Sequence, residues 1–539
     1  LPLTEQVPVQ PSAMEGRYIC HWDKDSIADA GFVKIDFLAL GALSQMQRAL
    51  QLIEERTGHY IDLSRIDFED KQVYESLHRA DTIGIFQVES AAQMQTITRI
   101  KPVNLTDMAY EVGAVRPGVG VNDGVSQFIK RRTQGIPWDY DHPLEERALK
   151  RTLGIILFQD QVNRVAMDVA GFSAQKANKL RLTFNRRNNV ALIERYRKDF
   201  MEGAAANGVS EEVAGRIFEK FNGHYMFPEA HAFAFGATAY HMSWLKYYYP
   251  LEFFVGIFNE QPMGFYNLET LKEDARRHDV TVLNPDINAS LDRSIIYPNP
   301  SKKRMDAFLA QDVGESRGGS PSLAGTWGEP PDISSSPFLS RNGARGMVER
   351  ARQRPAGEHP YHPMPTKDGA GQPSDEALLL GFLNVKGVGQ AAADTIVEAR
   401  ERGGPFTSLA DAMRRTGLQR ENMESLVMAG AFSGLVADRR AAMWEIGLRY
   451  RPSNGQQSLD LPVEQDMARL PGLTDWEEMA GEYRTMGIYP EGHLMAKLRP
   501  HLGPEVVPSD EVPHLEDGRE VTVMGLVIRR QRPLAKAVF

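Results

Sequence analysis

A lysine and an aspartate lie two positions apart in the apolar run VKIDFL, residues 33–38. On a β-strand, Lys34 and Asp36 would project from the same face, because successive side chains alternate between faces. A carboxylate beside an ammonium suits a metal-bound phosphate, with Asp36 binding Mg²⁺ and Lys34 binding phosphate oxygens. A surface ion pair on an edge strand is the alternative. On its own, the pair leaves both interpretations open.

Phosphoryl transfer by two metal ions usually needs more than one carboxylate. Asp23 and Asp25 have an Asp-x-Asp spacing, but His21, Trp22 and Ser26 around them do not form an apolar strand. We interpret this segment as a turn. The sequence then offers Asp36 as its one credible catalytic carboxylate.

A strongly basic stretch covers residues 176–198, where Glu194 is the one acidic residue. Lys176, Lys179 and Arg187 fall near helical repeats of one another, which favours a partly basic helix face. Such a face suits a triphosphate or backbone phosphates, and a solvated helix surface is the alternative. The basic residues are Lys176, Lys179, Arg181, Arg186, Arg187, Arg195, Arg197 and Lys198.

The sequence LNVKGVG, residues 383–389, precedes a helix with apolar spacing and is typical of a helix-hairpin-helix motif for sequence-independent DNA binding. Gly387 and Gly389 would let backbone N–H groups approach a phosphate at the helix N-terminus. Lys386 and Val388 complete this hairpin. A dinucleotide-binding fold is disfavoured, because no strand with an acidic end follows.

Two weaker motifs lie further along the chain. A degenerate second hairpin is predicted at Met423–Leu435, with Gly430 at its turn. The sequence QQSLDL, residues 456–461, could dock as an extended peptide in an apolar groove through Gln456, Leu459 and Leu461. A chance match within a linker is the alternative for that peptide.

His231 stands among aromatic residues in FPEAHAFAF, residues 227–235. A histidine in such surroundings is more often a hydrogen-bonded core residue than a metal ligand or a base. We therefore assign it no catalytic role.

The composition excludes several classes of protein. Over 539 residues the net charge is −9, so nucleic-acid contacts must come from local basic patches. Cys20 is the single cysteine, which excludes an intramolecular disulfide and a multi-cysteine zinc site and fits a reducing, cytoplasmic compartment. The sequence has no apolar run long enough to span a membrane and no secretion signal. Because it begins with Leu1 and stops inside a predicted strand, we expect a fragment of a longer protein.

The elements that must position these residues are mostly helices. Residues 17–40 predict strand, turn and strand, and from 42 to about 260 apolar residues recur at helical spacing. Gly, Pro, Ser and charged residues dominate 299–376, which predicts a disordered insertion or linker. Helices return after 377, and the alternating sequence from 520 onward predicts the first strands of a small barrel.

Together these motifs resemble the bacterial C-family DNA polymerases, the alpha subunits of DNA polymerase III, over nearly the whole chain. The stretch NEQPMGFYNLETLKEDARRHDVTVLNPDIN, residues 259–288, resembles the error-prone branch of that family. The other matching motifs are GFVKIDFLAL (31–40), DTIGIFQVES (81–90), VRPG (115–118), GIILFQDQV (154–162), FPEAHAFAF (227–235), WLKYYYPLEFF (244–254) and GFLNVKGVG (381–389).

The resemblance implies roles for the residues singled out above. Asp36 matches the third metal-binding carboxylate of the polymerase palm, and Lys34 matches a lysine that contacts the triphosphate. Arg181 matches one of two finger arginines that hold the incoming nucleotide, whereas Leu182 replaces the other. Losing one guanidinium should weaken triphosphate binding by about 1–3 kcal/mol. Ala91 also departs from the family, in which an arginine is usual at that position.

The resemblance implies partners as well. Primer–template DNA would be bound by the hairpin at 386–389, and we assign Arg186 and Arg187 to the same role. The peptide at 456–461 would form a sliding-clamp motif, although the error-prone branch is often recruited through accessory translesion proteins.

The expected fold class is α+β and predominantly helical, with a nucleotidyltransferase-type palm remnant. The expected domains are the C-terminal part of the palm (1–41), helical fingers (42–298), a disordered insertion or linker (299–376), a helix-hairpin-helix domain of the clamp-binding type (377–465), a helical connector (466–512) and the start of an OB-fold barrel (513–539).

We therefore predict a DNA-directed DNA polymerase that adds deoxynucleotides from their triphosphates to a primer 3′-end with two Mg²⁺ ions. Error-prone or translesion synthesis is the expected setting, in the cytoplasm and without a membrane partner. The other two palm aspartates would precede Leu1, so we expect the isolated chain to be inactive. The alternative is a non-catalytic DNA-binding or clamp-associated module.

Overall fold

The computed structural model divides the chain into two compact units, residues 1–43 and residues 44–539. The described part is predominantly helical with a few short strands, which confirms the predicted fold class. None of its helices has the length and apolarity needed to cross a lipid bilayer. The structure describes residues 5–12, 16–22, 26–27, 30–31, 40–115, 123–184, 190–221, 228–264, 266–299, 375–450 and 470–526.

The first unit contains an antiparallel strand pair, β1 (Val9–Pro11) and β2 (Tyr18–Cys20), with Val9 opposite Cys20. The strand predicted after residue 17 is therefore present, and its partner lies upstream of it. The second predicted strand, with Lys34 and Asp36, lies outside the described residues.

Most of the second unit up to residue 277 is helical, as the apolar spacing predicted. The first helix, α1 (Gly41–Thr57), begins three residues before the second unit does. The α-helices that follow it are α2 (Lys71–His78), α3 (Ala91–Ile100), α4 (Leu105–Ala114), α5 (Asp123–Gln134), α6 (Glu146–Leu149), α7 (Gln159–Ala170), α8 (Ala174–Phe184), α9 (Val190–Ala206), α10 (Glu211–Glu219), α11 (Glu229–Tyr248), α12 (Pro250–Asn259) and α13 (Leu268–Arg277).

Local sequence signals set several of these helix boundaries. The Ser90 hydroxyl accepts a hydrogen bond from the Gln93 N–H, and the Gln93 side chain accepts one from the Ser90 N–H. This capping box starts α3. Helix α7 ends at Gly171, whose left-handed backbone (φ 65°) suits glycine.

Close packing joins α4 to α11. A Cβ built on Gly236 of α11 would lie 3.1 Å from the Ala109 nitrogen of α4, so a larger residue would push the helices apart. Beside this contact, α4, α5 and α11 share a core that includes Tyr110, Phe128 and Ala232. A second core joins α7 to α10.

A three-stranded sheet links the residues on either side of 300–374. Its strands are β3 (Val282–Leu283), β4 (Ile295–Pro298) and β5 (Glu376–Leu379), in the order β3-β5-β4. Strand β5 runs parallel to β3 and antiparallel to β4. The domain boundaries predicted at 298 and 377 thus lie at the ends of two paired strands. The division into domains at these positions stays a prediction.

The remaining described helices follow that sheet. They are α14 (Gln390–Gly403), α15 (Leu409–Thr416), α16 (Arg420–Met428), α17 (Arg439–Arg449), α18 (Asp475–Met486) and α19 (Leu494–Leu498). Where barrel strands were predicted, described residues 520–526 form a single bridge, from Thr522 to Val506. The continuation at 527–539 lies outside the described residues.

Candidate nucleotide and nucleic-acid site

Arg181 lies on α8 and is oriented by neutral side chains. Its Nη1 donates to Gln159 Oε1 at the start of α7, and its Nη2 donates to Asn178 Oδ1 at 2.7 Å. Among the described residues no carboxylate pairs with this guanidinium. Its positive charge is therefore held in place without being neutralised, as a phosphate-binding arginine requires.

The rest of the basic stretch divides into paired and unpaired cations. Lys176 lies 2.9 Å from Asp199, while Arg197 and Lys198 each have a glutamate at 3.9 Å. Lys179 and Arg195 are exposed and have no acidic partner in the described part of the chain. The predicted basic face is therefore partly neutralised, and Arg186 and Arg187 lie outside the described residues.

A charged network holds the start of α7 against the start of α11. The Glu229 N–H donates to Asp160 Oδ2 at 2.6 Å. The Glu229 carboxylate pairs with Arg151 and, at 3.2 Å, with Arg164. Since Asp160 follows Gln159, this network fixes the residue that orients Arg181.

His231, two residues after Glu229, is partly exposed, and its ring packs on Phe235 with the two ring centroids 4.2 Å apart. Partial burial lowers the pKa of His231. The ring therefore favours the neutral form near pH 7.

The hairpin at 386–389, named here the open hairpin, presents unused donors to solvent. The N–H groups of Gly387 and Gly389 donate to no acceptor among the described residues. Gly389 caps α14 without a side-chain hydrogen bond, and a Cβ built there would meet nothing within 4 Å. Val388 is 4% exposed and anchors the turn, whereas Lys386 is exposed. This geometry suits a phosphate at the N-terminus of α14.

Contacts from other helices hold the open hairpin in place. The Lys386 N–H donates to the Thr485 carbonyl of α18 at 2.7 Å. The Asn422 side chain of α16 donates to the Gly387 carbonyl at 2.6 Å. Both contacts leave the outward N–H groups available.

The turn around Gly430, named here the closed hairpin, uses the N–H group of its glycine internally. Its Gly430 and Ala431 N–H groups donate to Val427 and Leu426 carbonyls. The Gly430 backbone is left-handed (φ 84°), and a Cβ there would lie 2.7 Å from Asn284 Nδ2. The Gly430 turn of the second predicted hairpin is therefore a buried packing element, and its glycine N–H is not available to a phosphate.

Asp81, Asp274 and His278 bring three potential metal-ligand atoms within 4.8 Å of one another. The Lys246 ammonium already occupies this cluster, at 2.6 Å from Asp81 and 2.7 Å from Asp274. Burial opposes ionisation of Asp81, but the His278 hydrogen bond and the Lys246 charge hold its pKa below the ordinary value. The cluster is thus an internal ion pair network whose cation is a lysine.

Several predicted residues have no described position: Lys34, Asp36, Arg186, Arg187, Gln456, Leu459 and Leu461. Their roles and the Mg²⁺ site therefore stay predictions. The structure adds Gln159, Asn178 and Asn422, which orient the predicted residues. Gln159 lies in the motif GIILFQDQV, but no residue-type signal distinguished it there.

Comparison with known proteins places these residues within two matched regions. Residues 42–208 match the bacterial DNA polymerase III alpha subunit finger domain, and residues 330–442 match a helix-hairpin-helix motif. The first match contains Arg181 and the second contains both hairpins.

Three relatives named error-prone DNA polymerase align with 99% of this chain. The protein from Corynebacterium jeikeium (strain K411) is 35% identical, and those from Mycolicibacterium paratuberculosis and Cutibacterium acnes are each 34% identical. The chain covers 44%, 42% and 44% of these relatives, which is less than half of their length.

Residues 42–208 are therefore a domain of the bacterial DNA polymerase III alpha subunit finger type, and a helix-hairpin-helix match follows it along the chain. The chain is similar to these error-prone DNA polymerases along nearly its whole length.

Proposed function

We propose that this chain serves a DNA-directed DNA polymerase that extends a primer 3′-end during error-prone synthesis. The observation that carries the proposal is the acid-free Arg181, oriented by Gln159 and Asn178 within the matched finger domain. A guanidinium held in this way can bind the triphosphate of an incoming nucleotide and stabilise charge that develops during transfer. The name shared by the relatives supports the same reaction.

The open hairpin gives this proposal a DNA-binding element. Its free Gly387 and Gly389 donors and the exposed Lys386 can hold a backbone phosphate without reading base sequence. Arg186 and Arg187 would add phosphate contacts, and the 456–461 peptide would recruit a sliding clamp or an accessory translesion protein.

The chemistry itself is assigned to Asp36 and Lys34 through their sequence motif. Divalent metal, most simply Mg²⁺, would be held by Asp36 together with further carboxylates and would stabilise the attacking and leaving oxygens. Lys34 would bind the triphosphate. A cytoplasmic location follows from this function.

The test replaces Asp36 by Asn in the full-length gene product. We expect primer extension to fall below 1% of wild type, since a carboxylate ligand is lost, while duplex DNA affinity stays within about twofold. Asp25→Asn, in the rival acidic pair, is the matched control and should leave extension unchanged. Near wild-type extension by Asp36→Asn would remove Asp36 from the mechanism, and loss of extension in Asp25→Asn would move the site.

A further inference from the structure

A pocket of about 430 Å³ lies between the C-terminal ends of α3 and α5. Its size falls in the range of small-ligand sites. Three cations line it, Arg99, Lys101 and Lys130, and its lining among the described residues contains no carboxylate. This group is named here the basic pocket.

The cations of the basic pocket are not used by the fold. All three are exposed, and none forms an ion pair within the described residues. The two arginines that follow Lys130 behave differently: Arg131 stacks over Trp138, and Arg132 lies 2.6 Å from Asp107. The structural cations of α5 and the pocket cations are therefore distinct groups.

The pocket has a rigid floor. Ile129, which lines it, is 7% exposed and belongs to the core shared with Ile100. Arg132 Nε donates to the Ile100 carbonyl at 3.3 Å and so ties α5 to the end of α3. The floor of the pocket is thus anchored in the protein core.

Helix dipoles alone do not account for three cations here. Each helix C-terminus carries roughly −0.5 charge, so the two ends together offset about one positive charge. The hydroxyls of Thr98 and Thr133 already donate to helix carbonyls. An excess of about two positive charges remains, which favours an anion.

We propose that the basic pocket binds a backbone phosphate of single-stranded DNA. This inference rests on the proposed polymerase function. A single strand is flexible, so its backbone can bend until one phosphate enters a concave site. A duplex is stiff, so its backbone contacts a protruding turn such as the open hairpin. The two sites would then divide single-stranded and duplex DNA between them.

The test uses the full chain with Arg99, Lys101 and Lys130 all changed to Gln. The control triple, Arg147→Gln, Arg402→Gln and Arg414→Gln, removes the same charge from side chains that are 70%, 75% and 66% exposed. Affinity for a fluorescent oligo-dT and for a hairpin duplex is measured by anisotropy from 50 to 200 mM NaCl.

We expect the pocket triple to bind oligo-dT roughly 10- to 100-fold more weakly at 50 mM NaCl, with a salt slope shallower by about 1–2. Its duplex affinity should fall no more than that of the control triple. Equal oligo-dT binding by the two triples would overturn the inference. Equal losses for oligo-dT and duplex would also overturn it, since the pocket would not select single strands.

Two further results separate this inference from the function on which it rests. If wild type binds neither DNA, both the inference and the DNA-binding part of the proposed function fail. If the pocket triple loses direct binding of tripolyphosphate but keeps oligo-dT binding, the pocket holds a free phosphate compound and the inference alone fails.

Discussion

The open and closed hairpins show how one sequence pattern serves two physical purposes. Both have a glycine in left-handed conformation, Gly387 at φ 87° and Gly430 at φ 84°. At Gly387 the nearest atom to a built Cβ is 3.8 Å away, whereas at Gly430 it is 2.7 Å away. The first turn thus faces solvent and the second faces the interior.

The difference teaches that tertiary neighbours decide whether a hairpin can bind phosphate. Beside the closed hairpin, Arg439 lies 2.7 Å from Glu482, and Asn284 donates to the same carboxylate at 2.8 Å. This polar network covers the turn and ties α17 to α18. Both contacts use Glu482 Oε1, and this buried network makes the closed hairpin a structural junction.

The largest expected effect comes from breaking that network with Arg439→Met. Arg439 is 10% exposed and Glu482 is 1% exposed at the side chain, so the change leaves a buried carboxylate without its cation. We expect a loss of about 3–5 kcal/mol in the free energy of unfolding, measured by urea denaturation above the Glu482 pKa, where the carboxyl is ionised in the wild type. The neighbouring Arg440→Met, at an ion pair 32% and 47% exposed, should cost about 1 kcal/mol or less. Equal costs for both variants would contradict a junction role.

A smaller effect is expected from alanine at Gly430 of the closed hairpin and at Gly389 of the open hairpin. Gly430→Ala combines left-handed strain with a clash against Asn284, so it should cost about 2–3 kcal/mol. Gly389→Ala has free space and should cost no more than about 1 kcal/mol, measured in the same denaturation experiment.

DNA binding should reverse that order. The methyl group of Gly389→Ala would stand where a phosphate approaches, so we expect duplex affinity to fall roughly 5- to 30-fold, the equivalent of 1–2 kcal/mol. Folded Gly430→Ala should bind duplex like wild type, as should the control Gly215→Ala, whose Cβ would have its nearest neighbour at 4.0 Å. Unchanged duplex affinity in Gly389→Ala would remove the open hairpin from DNA binding.

The last effect is a pH dependence at the closed hairpin. Burial raises the pKa of the Glu482 carboxyl to about 7, against the opposing charge of Arg439. The folded chain therefore holds a proton that an unfolded glutamate loses near pH 4.3. This contribution to stability is complete below that pH and declines as the pH rises through 7.

Glu482→Gln should remove this share of the pH dependence, about 2–3 kcal/mol between pH 5 and pH 7.5. The measurement is urea unfolding at several pH values, compared as slopes against wild type. Glu477→Gln is the control, because hydrogen bonds from Thr474 lower the pKa of Glu477 and it does not titrate in this range. A Glu482→Gln slope equal to that of wild type would contradict the buried titration.

The sequence predicted what local patterns control. Apolar spacing located the helices, and the glycine spacing of GFLNVKGVG located the open hairpin. Long-range partners could not be read in the same way. Arg181 meets Gln159 22 positions away, and the closed hairpin is covered by Asn284 and Glu482, far from Gly430 in sequence. The basic stretch was overestimated because Asp199, the partner of Lys176, lies just beyond it.

One junction in the sheet has a practical consequence. The Asn299 N–H donates to the Asp375 carbonyl at 2.6 Å, directly beyond the pair Pro298–Glu376. The chain therefore leaves the sheet and re-enters it at adjacent points, so the register of β4 and β5 does not depend on how many residues lie between. This makes 300–329, which precede the helix-hairpin-helix match, a natural position for grafting a whole segment, such as a fluorescent reporter, with the helices on both sides kept in place.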